Sequence, residues 1–171
     1  MFSPLRYEKT IDLTFMEILI RHAENKDLSH IQKLMTELND FQIKNFSNQN
    51  KPFHKRTKEY PKIKKDDIKN NIILVAEIDN NIIGYIWGSI HKRKSHELSI
   101  MGYIDEICVN QKYRTKGVGK RLLKLLETKF RQKKCDHMVT HTDYDNEIAQ
   151  KSYSNYGMLP VTIEYWKEIE K

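Results

Sequence analysis

The sequence is poor in the residues that staple, break or hide a chain. Among 171 residues there are two cysteines, Cys108 and Cys135, too few for a disulfide framework and without metal-ligand spacing. Four prolines and six glycines exclude collagen-like and low-complexity architectures. No apolar run approaches the roughly 18 residues of a membrane span, so no membrane partner is expected. The first fifteen residues, MFSPLRYEKTIDLTF, carry charges where a secretory leader would be apolar. Together with the scarcity of cysteine, this predicts a reducing, cytoplasmic setting. What remains is a highly charged chain, 31% Asp, Glu, Lys and Arg, long enough to bury a core without staples. One domain over residues 16–171 is expected, with residues 1–15 as an extension.

Charge is unevenly placed. The net charge is +7, yet residues 42–67 hold eight Lys/Arg against three Asp/Glu, and residues 112–134 hold ten against one. Everything outside these two segments is therefore acidic on balance. A protein coated for nucleic acid would spread its basicity more widely, so nucleic acid is disfavoured as a partner.

Hydrophobic periodicity orders the elements. Glu17–His22 alternates and predicts a strand; Leu28, Ile31, Leu34, Met35, Leu38 and Phe41 recur at helical spacing over about 27–43. Asn25 or Asp27 is the expected cap of that helix. Residues 46–63 have no period and carry Pro52 and Pro61, which predicts an excursion. Ile72–Ile78 and Ile82–Ile90 are strand-like and joined by Asp79-Asn80-Asn81, a hairpin signal. Leu98–Val109 is a further long strand. A helix over about 118–134, a strand at His137–Thr142, a helix at about 146–155 and a final strand at Val161–Glu168 complete the order. The class is mixed α/β, a sheet with helices packed on it.

The chemistry concentrates at 103–130, YIDEICVNQKYRTKGVGKRLLKLLETKF. A strand ends at Val109, a short polar loop follows, and Gly117 and Gly119 open a basic helix. Glycine permits a tight turn and a close approach to backbone N–H groups. The first helical turn leaves unpaired donors at the positive end of its dipole. With Arg114, Lys116, Lys120 and Arg121 around it, this is a phosphate-binding pattern. A Walker loop would need Ser or Thr after Lys120, where Arg121 stands, and a dinucleotide fingerprint would need a third glycine.

Arg114-Thr115-Lys116-Gly117-Val118-Gly119 resembles the R/Q-x-x-G-x-G/A motif of the GNAT superfamily of acyl-CoA-dependent N-acetyltransferases. Asn146 to Met158, NEIAQKSYSNYGM, is similar to that superfamily's N-x-x-A-x-x-x-Y-x-x-x-G-F segment, and lies about 27 residues downstream. Met158 replaces the usual Phe, and the basic excursion is longer than usual. The element order agrees as well. The resemblance implies a splayed central sheet of about six to seven strands flanked by about four helices. It implies acetyl-CoA as co-substrate, no metal, and direct transfer of acetyl to a primary amine of a small molecule or peptide.

Roles follow from the same resemblance. The backbone of Lys116, Gly117, Val118, Gly119 and Lys120, with Arg114 starting the loop, would hold the CoA pyrophosphate. The strand edge at Ile107, Cys108 and Val109 would pair with the pantetheine arm, a form of strand addition. Asn146 would bond the cofactor, cap the following helix, or both. Tyr153 is the candidate general acid for the departing thiolate, against a role in packing alone. Asp105 and Glu106 are candidate bases, and only one can face the cleft unless a bulge intervenes. Glu106 is favoured. His137 and His141 share a strand face but lack further ligands for a metal. Cys108 reads as a small buried hydrophobe, since direct transfer needs no acyl-enzyme. Rival readings are a basic protein bound to nucleic acid or the ribosome, and a CoA-binding domain without turnover. A homodimer is left open.

Overall fold

The computed structural model describes residues 17–46, 61–94, 97–165 and 167. The expected extension at 1–15 lies outside them, as does the excursion from 47 to 60. Five strands form one sheet in the order β1-β2-β3-β4-β5. They are β1 (Leu19–His22), β2 (Ile72–Ile78), β3 (Asn81–Lys92), β4 (Ile100–Val109) and β5 (His137–Val139). The first four run antiparallel to their neighbours, and β5 runs parallel to β4. Four helices accompany them: α1 (Leu28–Phe46), α2 (Lys65–Asn70), α3 (Val118–Gln132) and α4 (Glu147–Tyr156).

Both faces of the sheet are covered. On one, Ile31, Leu34 and Met35 of α1 pack on Ile73, Val75, Tyr85 and Cys108. On the other, Val118, Leu122, Leu126 and Phe130 of α3 pack on Leu74, Ile86 and Ile104. This explains why β2 is apolar almost throughout, with Glu77 its only residue not fully buried. The close approach of α3 requires bare backbone beneath it. A Cβ at Gly102 would lie 2.5 Å from Phe130 Cγ, and one at Gly88 would lie 2.7 Å from Phe130 Cζ.

The β2–β3 turn has Asp79 and Asn80 at φ 48° and 61°, the left-handed pair that a tight hairpin requires. A 3₁₀ turn over Asn25–Asp27, itself capped by Glu24, precedes α1. Asp27 instead reaches back to accept from the Glu24 N–H at 2.8 Å. It also takes a bidentate bond from Arg21, at 2.6 and 3.0 Å, while Arg21 Nε donates to Glu77 at 2.8 Å. That nearly buried network fastens β1, β2 and the start of α1 together.

Among the described residues the strand count is lower than the six to seven expected. The alternation at Val161–Glu168 yields no strand over residues 161–165, where Val161 is 89%, Ile163 71% and Tyr165 91% exposed. Alternation marks a segment with two unlike faces; a strand also needs a neighbour to complete its ladder. The strand expected at His137–Thr142 likewise ends at Val139.

Candidate active site

The sheet opens where β4 and β5 part. Their pairing spans Met101↔His137, Gly102↔Met138 and Tyr103↔Val139 and then stops, although β4 continues to Val109. At that point β4 carries a bulge. Trp87 faces Glu106 and Gly88 faces Ile104, which leaves Asp105 as the additional residue. The bulge removes the strict alternation expected of Asp105 and Glu106. Glu106 lies opposite Trp87, which packs with the α1 side, and Asp105 hydrogen-bonds Ser89. Burial raises the Asp105 carboxyl above the ordinary carboxylate range, with the Ser89 bond and the His91 charge opposing the shift. A cleft of about 400 Å³ beside Trp87 is lined by Met35, Ile63, Lys64 and Asp67.

Beyond the bulge, alternation divides the β4 backbone. The Asn110 N–H donates to Ile83 O of β3, so Cys108, two residues back, also turns its polar groups toward β3. Ile107 and Val109 turn theirs to the open side. Cys108 is thereby corrected from the expected edge set. Its thiol is buried against Leu34 O, and burial pushes its pKa up to about 12, so it is an inert core residue.

The open edge leads into the glycine loop. Asn110 accepts from the Lys112 N–H and caps a 3₁₀ turn over Gln111–Tyr113. Thr115 and Gly117 then adopt φ 63° and 79°, and Gly117 is the N-cap of α3. The first helical bond runs from Arg121 N to Gly117 O, so the N–H groups of Val118, Gly119 and Lys120 lie in the open first turn. Among the described residues, and apart from Gly117 and its two chain neighbours, no atom lies within 4 Å of a Cβ built on Gly117. Gly119 sits beside β4, its Cβ position 3.9 Å from Val109 and 4.0 Å from Ile107. Strand edge and helix terminus thus form one continuous donor-lined surface. A pyrophosphate with an extended, amide-bearing arm fits that surface.

Arg114 takes a different part from the one its charge suggests. Its Nε donates to Val109 O at 2.9 Å, and its guanidinium lies over the Phe41 ring. Lys116 is half-buried and Lys120 exposed.

The GNAT acetyltransferase family profile matches residues 35–158. The chain belongs to the GNAT family. It is 34% identical over 90 residues to N-alpha-acetyltransferase 30 of Dictyostelium discoideum, a stretch that is 53% of this chain and 47% of that protein. The chain thus aligns with about half the length of that relative. It is 27% identical to the L-amino acid N-acetyltransferase of Escherichia coli, over 82% of each chain. Among solved structures, an aminoglycoside N-acetyltransferase in complex with CoA superposes with a TM-score of 0.66 at 18% identity, covering 90% of this chain and 95% of that one. That likeness is one of fold.

Within this GNAT domain, α4 supplies the remaining residues. Asn146 caps α4, accepting from the Ala149 N–H at 3.1 Å, which realises the capping role. Tyr153 is half-buried; burial raises its phenol pKa, and a hydrogen bond with Thr140 partly offsets the shift. Thr140 in turn donates to Ile104 O at 3.1 Å, just before the bulge. Tyr156 packs on the α3 core and donates to Glu127 at 2.6 Å, joining α4 to α3. Among the described residues no cluster of His, Cys, Asp and Glu could hold a metal, and no helix is long and apolar enough to cross a membrane.

One pairing had no signal in the sequence. Tyr103 and His141 are 38 residues apart, yet Tyr103 Oη lies 2.5 Å from His141 Nδ1. The His91 ring stands edge-on to Tyr103 at 5.7 Å and is bonded to Ser89 at 2.9 Å. Only the parallel placement of β5 beside β4 brings them together.

Proposed function

We propose that this GNAT domain transfers an acetyl group from acetyl-CoA directly to a primary amine of a small molecule or a peptide. The observation that carries the reading is the parting of β4 and β5 at Tyr103 and Val139, directly upstream of an open edge that runs into the α3 N-terminus. The co-substrate would supply the activated acetyl group as a thioester. The backbone N–H groups of Val118, Gly119 and Lys120 would hold its pyrophosphate, and Ile107 and Val109 would bond its arm. Arg114 would fix the loop that presents those donors.

Tyr153 acts as the general acid in this reading. Its raised pKa keeps the hydroxyl protonated at neutral pH, so it can donate to a sulfur leaving as thiolate. Asp105 and Glu106, adjacent at the bulge, would draw in the cationic amine. Glu106 is also a candidate to take its proton. The names of the relatives, an N-alpha-acetyltransferase and an L-amino acid N-acetyltransferase among them, support an amine acceptor.

The test combines calorimetry with acetyl-CoA and thiol release over a panel of amino acids, peptide amino termini, polyamines and aminoglycosides. Binding with amine-dependent thiol release is expected. Binding without release from any amine would leave a CoA-binding domain. Failure to bind acetyl-CoA would overturn the reading altogether.

A further inference from the structure

We propose that the Tyr156–Glu127 bond is a positioning latch that sets Tyr153 toward the leaving thiolate, an inference that rests on the acetyltransferase reading above. The acetyltransferase motif specifies Tyr153 and leaves position 156 open. Tyr156 stands three residues on, so the two tyrosines share one face of α4. Glu127 is the one acidic residue among ten Lys/Arg over residues 112–134. Tyr156 Oη donates to Glu127 Oε2 at 2.6 Å, and Arg131 donates to Glu127 Oε1 at 2.8 Å. The arginine holds one carboxylate oxygen and leaves the other aimed at α4. Burial and the Glu127 bond raise the Tyr156 phenol pKa, so its hydroxyl stays a donor at neutral pH.

Helix α4 needs such a fixture. None of its 10 residues is fully buried, and Ile148 is 69% exposed. A helix this short is marginal alone, so its placement depends on tertiary contacts. Gly157 ends it at φ 96°, and the Met158 N–H closes on Tyr153 O at 3.0 Å. Met158 and Tyr156 then both pack against the α3 core. Apolar packing is non-directional and tolerates a roll of α4 about its axis. A hydrogen bond weakens steeply as its angle opens, so it selects one rotation.

The helix that carries Glu127 also presents the phosphate donors. Val118 opens α3, and Glu127 follows about 13 Å along its axis. The latch therefore refers Tyr153 to the element that would hold the pyrophosphate, so acid and co-substrate share one rigid frame. The other bond of Tyr153, with Thr140, refers it to the opening of the sheet through Ile104 O. Without the latch α4 is free to roll about that second tie. A displacement of about 1 Å at a reacting group can cost up to about a hundredfold in rate.

The experiment compares wild type with Tyr156→Phe, Glu127→Ala, Glu127→Gln, Tyr153→Phe and the double variant of both tyrosines. Calorimetry reads acetyl-CoA affinity. Thiol release is measured with glycinamide, a short peptide with a free amino terminus, spermidine and an aminoglycoside. Tyr156→Phe and Glu127→Ala should each lose about tenfold in kcat. The KM for the amine and the affinity for acetyl-CoA should stay within about twofold, which also shows that each variant is folded. Glu127→Gln keeps an acceptor oxygen and should restore most of the rate. In the Tyr153→Phe background, loss of the Tyr156 hydroxyl should cost nothing further, because the acid it positions is gone. Wild-type kcat in Tyr156→Phe would overturn the latch alone. So would a loss in Glu127→Gln as large as in Glu127→Ala, losses that multiply in the double variant, or acetyl-CoA binding lost along with turnover. Undiminished turnover in Tyr153→Phe would overturn the latch together with the acid role. A wild-type chain that binds acetyl-CoA but releases thiol with none of these amines would overturn the acetyltransferase reading, and the latch with it.

Discussion

Arg114 lies with its guanidinium carbon 5.1 Å from the centre of the Phe41 ring, so the glycine loop is braced against α1 across the end of the sheet. The same side chain donates from Nε to Val109 O. The arginine thus fixes the end of β4 relative to the turn that opens α3.

Arg114→Ala should therefore weaken acetyl-CoA binding by displacing donors rather than by removing a charge. About tenfold is expected, equivalent to roughly 1.4 kcal/mol. Arg114→Lys should recover little of this. An ammonium keeps the charge, but it lacks both the planar stacking surface and the Nε donor. Calorimetry of the two variants at low and high salt separates the cases. Full rescue by lysine would mean that the charge itself is what acts.

Gly117 offers a cleaner probe of the phosphate site. Its φ of 79° would strain most side chains, but among the described residues nothing beyond its chain neighbours crowds the space beside it. Asn tolerates the left-handed region and adds no charge, so Gly117→Asn should bind acetyl-CoA within a few-fold of wild type. Gly117→Asp has nearly the same shape and adds a negative charge where pyrophosphate would rest. It should lose at least tenfold more, about 1.4 kcal/mol. Equal affinities for the two variants, each still folded, would move the phosphate elsewhere.

Tyr153→Phe removes only a hydroxyl. Turnover should fall about a hundredfold, the usual contribution of a positioned acid, while acetyl-CoA binding changes little. Rate should also fall at high pH in the wild type as the phenol ionises. Because burial raises its pKa, that fall should lie above the pH 10 of an ordinary tyrosine. Undiminished turnover in the variant would leave Tyr153 as packing.

How much of this was legible in the sequence depended on the range of the interactions. The hairpin at Asp79-Asn80, the apolar stripe of α1 and the Gly117 cap of α3 are set by neighbours in the chain, and each was readable there. The bulge at Asp105 is a property of two strands together, since it exists only as an offset between β4 and β3. It is the exception that the alternation rule at Asp105 and Glu106 allowed for. The assignment of Cys108 to the edge failed for a related reason: main-chain groups alternate along a strand, and the partner decides which set is spent. At Val161–Ile163 the error ran the other way, because alternation was present and a partner strand was not.

The Arg21–Asp27–Glu77 network predicts a stability effect with a defined pH dependence. Asp27 is 3% exposed; burial works to raise its pKa, but the Arg21 and Glu24 bonds prevail and hold it below the ordinary value. A depressed carboxyl contributes stability that is present above its unfolded pKa and lost as pH falls through the folded one. Asp27→Asn should therefore cost about 3 kcal/mol between pH 5 and 8, much of it from Arg21 losing its bidentate carboxylate and keeping only Glu77 as a charged partner. The difference from wild type should narrow below about pH 4. Urea unfolding at pH 7 and pH 3.5 reads both points. A difference that stays constant down to pH 3 would assign the effect to shape rather than charge.

Asp105 predicts the opposite sign. Its carboxyl is raised by burial, so the folded state disfavours the charge that the unfolded state bears freely. Stability should then decline as pH rises from the ordinary carboxylate value through the raised one, and remain lower above it. Asp105→Asn removes the charge while keeping a side chain that can bond Ser89. It should melt slightly higher than wild type at pH 7, with the gain disappearing near pH 3.5. Asp105 keeps solvent contact, so the gain should be small. The same variant should raise KM for a cationic amine about tenfold, roughly 1.4 kcal/mol, and change kcat much less, the outcome expected of a carboxylate that binds the ammonium without taking its proton. Thermal unfolding at the two pH values and steady-state kinetics at pH 8 test the two halves. A variant with lower melting temperature at pH 7 and unchanged KM would make Asp105 a structural bulge residue and remove it from the acceptor site.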